Sequence, residues 1–246
     1  MEVMRGYAMS AKTTRVRVLR RMSVAVLAVL AAVVLMPSRA GASVMTMADL
    51  LSGASIQSGD KLFYGFSDYS SNASGGATSV DPATIHVLPT LQGNEWGLLF
   101  QSAYFYAGSG QSQDTHFDFL MQVTDPTRLA TDNSMQMTSG VHGSGSRATI
   151  AEDIWDLSDN TLLAQDSVNV LSTGGNGYDH EVFLYPVDEI HVSKDIALVG
   201  GAGVGSYAFI SDLSQTFSQT PEPGTLALLG LGALGFLPRR RRGTRR

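Results

Sequence analysis

An all-β fold, a β-sandwich of jelly-roll-like form, is predicted for the body of this 246-residue chain by three observations. Short segments rich in β-branched and aromatic residues recur between clusters of Gly, Ser, Asn and Asp. One of them, "THFDFLMQV", alternates strictly along its length. A helical period is almost confined to one apolar segment at each end of the chain. Closure of the same strands into a barrel-like form is the alternative.

Taken in order, strands are expected at residues 61–66, 84–88, 96–101, 115–123, 147–155, 161–170, 181–191 and 196–200. Eight to eleven short strands of this kind suit two packed sheets better than an α/β fold. In "THFDFLMQV" Phe117, Phe119, Met121 and Val123 share the face that belongs in a core. His116, Asp118, Leu120 and Gln122 share the wetter one. The stretches "SSNASGGATS", "AGSGQSQD", "SGVHGSGS" and "STGGNGYD" supply Gly for positive φ and Asn or Asp for local hydrogen bonds, and are expected to be loops.

Charge divides the chain sharply. Residues 43–220 hold only four basic residues, Lys61, Arg128, Arg147 and Lys194, against twenty carboxylates, a formal charge of about −16. Such a body repels nucleic acid and anionic lipid, which are bound mainly through Lys and Arg, so no nucleic-acid partner is expected. The chain has no cysteine. That excludes disulfides, thiol nucleophiles and thiolate metal sites, and leaves stability to the core.

The N-terminal end, residues 1–42, reads as a secretory signal peptide with a signal helix. Arg15, Arg17, Arg20 and Arg21 precede an apolar run at 22–36, and Ala40-Gly41-Ala42 supplies small residues for signal peptidase, with cleavage expected after Ala42. Residues 43–219 form the acidic ectodomain.

The C-terminal end, residues 220–246, has three parts in sequence: Pro221-Glu222-Pro223, fourteen apolar or small residues at 224–237, and an arginine cluster that begins Arg239, Arg240, Arg241, Arg242. The two prolines hold the tripeptide extended while the carboxylate keeps it in water. A fourteen-residue helix covers about 21 Å, short of a hydrocarbon core of about 30 Å, so it spans a bilayer only marginally. The arginines stay on the cytoplasmic side and stop the chain there.

This arrangement resembles the PEP-CTERM sorting signal of Gram-negative bacteria. The resemblance implies an exosortase as processing partner, transient residence in the inner membrane, and export alongside extracellular polysaccharide to the cell surface or medium. It makes Pro221, Glu222 and Pro223 substrate rather than catalyst. The body is similar to the ectodomain that recurs ahead of this signal, in "DLLSGASIQSGDKLFYGFS", "ATIHV", "GLLFQS", "FDFLMQVTD", "ATIAEDIWD", "VSKDIALVGG" and "AFISDLSQTFSQTPEP". That likeness implies fold and location, with no catalytic residue, cofactor or metal ligand to carry over.

Catalytic motifs are sparse. The chain has no G-x-S-x-G, and Ser144 lies in a Gly-rich loop; no H-E-x-x-H occurs. His116 and Asp118, with His180 or His191, have the composition of a two-histidine, one-carboxylate iron site, which an alternating polar strand face explains equally well. Glu152, Asp153, Asp156 and Asp159 crowd four hard ligands into eight residues, as a calcium loop or a solvated turn would. Gly200, Gly201, Gly203 and Gly205 do not match G-x-G-x-x-G and suit a bend between buried strands. Trp96, Tyr104, Tyr106 and Trp155 are candidates for stacking on sugar rings. The expectation is a non-enzymatic surface or matrix protein associated with polysaccharide; an exported carbohydrate-active hydrolase is the alternative.

Overall fold

The structure is a computed structural model that describes residues 44–220. Ala40, Ala42, Pro221, Glu222, Pro223 and Arg239 to Arg242, with the two terminal helices expected around them, lie outside the described residues. None of the described helices is long and apolar enough to cross a membrane.

Two seven-stranded antiparallel sheets make up the body. The chain runs β1 (Met45–Thr46), α1 (Met47–Leu51), β2 (Ile56–Ser58), β3 (Lys61–Ser74), a 3-10 turn (Pro82–Thr84), β4 (His86–Gln92), β5 (Glu95–Gln101), β6 (Tyr106–Gly108) and β7 (Ser112–Val123). It continues through β8 (Ala130–His142), β9 (Arg147–Asp156), β10 (Leu162–Leu171), β11 (Gly174–Asn176), β12 (Tyr178–Val187), β13 (Glu189–Val199) and β14 (Tyr207–Gln219). The first sheet has the order β1-β4-β5-β14-β8-β12, with β6 also on β14; the second has the order β11-β10-β9-β13-β7-β3-β2. Both sheets end in free edges among the described residues, so the strands form a sandwich and not a closed barrel.

Alternation builds the core. Phe117, Phe119 and Met121 of β7 are fully buried, as are Ile190, Val192 and Leu198 of β13. Aromatic rings tie one sheet to the other. Phe63 of β3 lies 6.1 Å from Phe217 of β14, and Phe100 of β5 lies 5.3 Å from Phe117. The five-residue α1 starts from a reciprocal cap: Thr46 Oγ1 accepts from Asp49 N–H at 3.2 Å and Asp49 Oδ2 accepts from Thr46 N–H at 2.9 Å. It buries Met47 and Leu50.

Three expectations are corrected. The segment at 181–191 is two strands in different sheets, divided at Asp188, whose carbonyl accepts from Val123 N–H at 2.8 Å. The loop expected at "SSNAS" belongs to β3, which continues past 66 by absorbing register shifts on either side of Ser67; Gly65 and Asp68 take positive φ there. Two long neighbouring strands of the first sheet, β8 and β14, were not expected at all. Their inner faces carry Asn133 and Gln215, which break the apolar alternation that marks a buried strand.

Candidate functional site

The outer face of the second sheet gathers His116, Asp118, His191 and Asp195 from β7 and β13. His191 Nε2 is 2.9 Å from Asp118 Oδ2, and His116 Nε2 is 3.2 Å from Asp118 Oδ1 at ion-pair distance. The other nitrogen of His116, Nδ1, is 3.0 Å from Asp195 Oδ1. The sequence therefore placed three of these groups together correctly, but as a chain. Asp118 stands between the two imidazoles and gives one oxygen to each, whereas an iron triad needs three ligand atoms on one point. His180 is elsewhere, on β12, 3.6 Å from Asp132.

The four acids of "AEDIWDLSDN" do not converge. Strand alternation sends Glu152 into the core and Asp153 to the outer face, where it accepts from Gln165 Nε2 at 2.7 Å. Asp156 and Asp159 turn back on their own loop, accepting from Ser158 N–H at 2.8 Å and Thr161 N–H at 2.9 Å. Hydrogen bonds from Ser158 hold Asp156 below the usual carboxylate range. These positions cannot share one calcium ion.

Inside the sandwich lies a polar network that the sequence reading missed. Lys194 of β13 pairs with Glu152 Oε2, and Glu152 Oε1 accepts from Gln215 Nε2 at 2.6 Å and Asn133 Nδ2 at 2.9 Å. Asn133 also donates to Asp166 Oδ2 of β10. All five residues are no more than 3% exposed. Burial pushes the Glu152 carboxyl up, against the pull of Lys194, Gln215 and Asn133. Asp166 is pushed to about 7, first by burial and then by the charge of Glu152. A signal was present in the sequence: Lys194 shares its period-2 face with Val192 and Ile196, and Glu152 shares its face with Ile150 and Ile154. Both oxygens of Glu152 are engaged, which leaves it no free position for acid or nucleophile chemistry.

Of the four aromatic candidates, two have structural duties. Trp155 stacks on His191 with ring centroids 5.3 Å apart. Trp96 lies over Gly59, where a Cβ would come within 2.3 Å of the indole. Tyr104 and Tyr106 are 56% and 48% exposed and line a hollow of about 320 Å³ with Thr78 and Gln111. The glycine bend between β13 and β14 is there for close backbone approach: a Cβ on Gly200 would stand 1.8 Å from the carbonyl oxygen of Gly108.

At the end where β14 leaves the sandwich, a cavity of about 590 Å³ is lined by Asp60, Lys61, Glu95, Trp96, Arg128 and Thr220. Burial draws the Lys61 ammonium down, and Asp60 at 3.2 Å partly offsets this. The chain is held up to its last described residue. Thr220 N–H donates to Leu129 C=O at 2.9 Å, Leu129 N–H donates to Thr220 Oγ1 at 3.2 Å, and Arg128 Nη1 donates to Gln219 Oε1 at 3.2 Å.

A family model described as the PEP-CTERM protein-sorting motif matches from that exit onward, over residues 219–242. The chain carries a PEP-CTERM sorting signal. The sorting signal contains Pro221, Glu222, Pro223 and Arg239 to Arg242, and it begins at the last residue of β14 with no intervening linker. Its presence implies export, a membrane-anchored sorting segment and exosortase processing. No curated protein matches the chain. Among solved structures, TmCBM61 in complex with β-1,4-galactotriose is 13% identical over 62% of this chain and 90% of its own, with a TM-score of 0.26. The xylan-binding module CBM15 is 11% identical over 74% of this chain and 100% of its own, with a TM-score of 0.25. The Gap123 complex from Streptococcus agalactiae is 10% identical, covering 60% of this chain and 24% of its own, with a TM-score of 0.28. Likenesses this low carry no argument about ligand.

Proposed function

We propose that this chain is a non-enzymatic surface or matrix protein, exported through its N-terminal signal after cleavage at Ala42 and parked in the inner membrane by residues 224–237. Arg239, Arg240, Arg241 and Arg242 stop it from the cytoplasmic side. An exosortase then cuts at or near Pro221-Glu222-Pro223 and releases the acidic sandwich to the cell surface or medium. The observation that carries this reading is the sorting signal at 219–242. Intact-mass analysis of the extracellular and membrane fractions tests it. The reading requires an extracellular species that lacks both the first 42 residues and Arg246; extracellular protein with Arg246 attached overturns it.

For the ectodomain we propose association with extracellular polysaccharide through the Tyr104 and Tyr106 hollow. Two half-exposed rings beside the Gln111 amide offer the pairing of apolar face and hydrogen-bonding group that sugar rings require. Affinity electrophoresis in the producing cell's own polysaccharide tests it. Retardation is expected, and is expected to disappear in the Tyr104→Ala/Tyr106→Ala double variant.

A further inference from the structure

Three carboxylates that neither the sorting signal nor the tyrosine hollow uses meet where the two sheets run side by side at one flank. Asp166 belongs to β10 of the second sheet, and Asp179 and Glu181 to β12 of the first. Residues 179 and 181 are two apart on a strand and therefore share a face, the one that turns Phe183 into the core. One ligating oxygen from each of the three lies within 4.8 Å of the others. That is the span of two oxygens on opposite sides of an ion at about 2.4 Å from each. Among the described residues the three form no ion pair with Lys or Arg, and Lys194, the cation nearest in the network, is held by Glu152.

The second observation is independent of the clustering. Asp166 is 2% exposed; its Oδ2 accepts from Asn133, and its Oδ1 has no hydrogen-bond partner. An unsatisfied oxygen on a buried carboxylate is costly, and more so with two further carboxylates beside it. The second ligand is already positioned. Asp179 accepts from Ser167 N–H at 2.9 Å and from His180 N–H at 3.0 Å, so β10 itself holds the β12 carboxylate across the gap between sheets. Glu181 is exposed and leaves a path to solvent for entry and for water ligands.

We propose that Asp166, Asp179 and Glu181 form a site for a hard divalent cation, calcium by its all-oxygen ligand set, which ties β10 of one sheet to β12 of the other. The ion satisfies Asp166 Oδ1 and neutralises three like charges, so it binds the folded sandwich and not the unfolded chain. With three protein carboxylates, one of them exposed, the affinity belongs to the range of extracellular modules, about 10⁻⁴ to 10⁻³ M.

The test uses the full-length chain, purified in detergent and stripped with chelator. It is titrated with calcium chloride, with magnesium chloride at equal ionic strength as control, and read by thermal midpoint and by calorimetric heat. A saturable rise in midpoint with calcium, and little with magnesium, is expected. Asp166→Asn also disturbs Asn133 and shifts the unliganded stability by itself, so the deciding variant is Glu181→Gln, which is on the surface. It is expected to leave the unliganded fold intact, with a midpoint at or above that of the wild type because one of three crowded charges is gone, and to weaken calcium binding at least about tenfold. No heat and no midpoint change up to about 10 mM calcium overturns the site. A calcium effect that survives both Glu181→Gln and Asp179→Asn overturns it as well, because the ion then binds elsewhere.

Discussion

Lys194 and Glu152 face each other between the two sheets, ammonium against carboxylate, with neither side chain reaching solvent. They come from adjacent strands of one sheet, and the opposite sheet completes their shell through Gln215 and Asn133. A buried pair of this kind contributes little net stability against an apolar pair, because desolvation offsets attraction. Breaking it is another matter. Lys194→Met leaves the Glu152 carboxyl in the core without its cation and is expected to cost about 3 to 5 kcal/mol. Lys194→Met combined with Glu152→Gln is expected to recover much of that loss. Urea denaturation of the two single variants and the double variant measures the coupling, and additive losses would deny it.

Asp166 gives the sandwich a pH dependence with a definite sign. Its folded pKa, about 7, is above its unfolded value of 3.8, so between those limits the folded state binds the extra proton. Stability therefore falls as pH rises from about 4 to about 7 and levels off above, by at most about 4 kcal/mol. The groups that face it are Glu152, Asp179, Glu181, Asn133 and, at longer range, Lys194. Denaturant midpoints taken across this range in chelator, for the wild type and for Asp166→Asn, isolate the effect. The difference between the two proteins is expected to change with pH below about 7 and to be constant above it.

Much of the architecture was readable in the sequence wherever apolar residues alternate. Phe117, Phe119 and Met121 announce their strand face without help from the fold. The two long strands missed, β8 and β14, are those whose inward positions hold Asn133 and Gln215, and those amides make sense only once Glu152 is known to stand opposite. Lys194 and Glu152 are in phase with apolar neighbours, yet a lone charge in a strand is normally solvated, and only the pairing of β9 with β13 puts them in contact. Asp166, Asp179 and Glu181 are less legible still. Their approach depends on how the flanks of two separate sheets meet, which no local period encodes.

Gly200 is expected to tolerate no side chain. Its Cβ would stand 1.8 Å from the Gly108 carbonyl oxygen, a backbone atom that cannot rotate away. Gly200→Ala must therefore separate β6 from the end of β13, and a loss of about 1 to 3 kcal/mol is expected. Gly93→Ala serves as a comparison, because nothing lies within 4 Å of a Cβ there. Gly93 has φ of +59°, so its variant reports backbone strain without a clash. A smaller loss for Gly93→Ala than for Gly200→Ala in thermal denaturation is the expected order.

The junction between sandwich and sorting signal yields the last prediction, which rests on the proposed processing. Strand β14 runs to Gln219, and the bonds between Thr220 and Leu129 hold the backbone up to the residue before Pro221. An enzyme that accommodates an extended substrate on both sides of a tripeptide has to bring the folded body against itself or pull these bonds open. Eight Gly and Ser residues inserted between Thr220 and Pro221 remove that constraint, leaving the tripeptide, the apolar run and the arginines unchanged. Processing, followed by pulse-chase and intact mass, is expected to proceed faster in the insertion variant. Thr220→Pro, which deletes the N–H donated to Leu129, is expected to shift it in the same direction by less. A slower rate in both variants would mean that the enzyme reads the end of the sandwich itself, with the strand terminus as part of the signal.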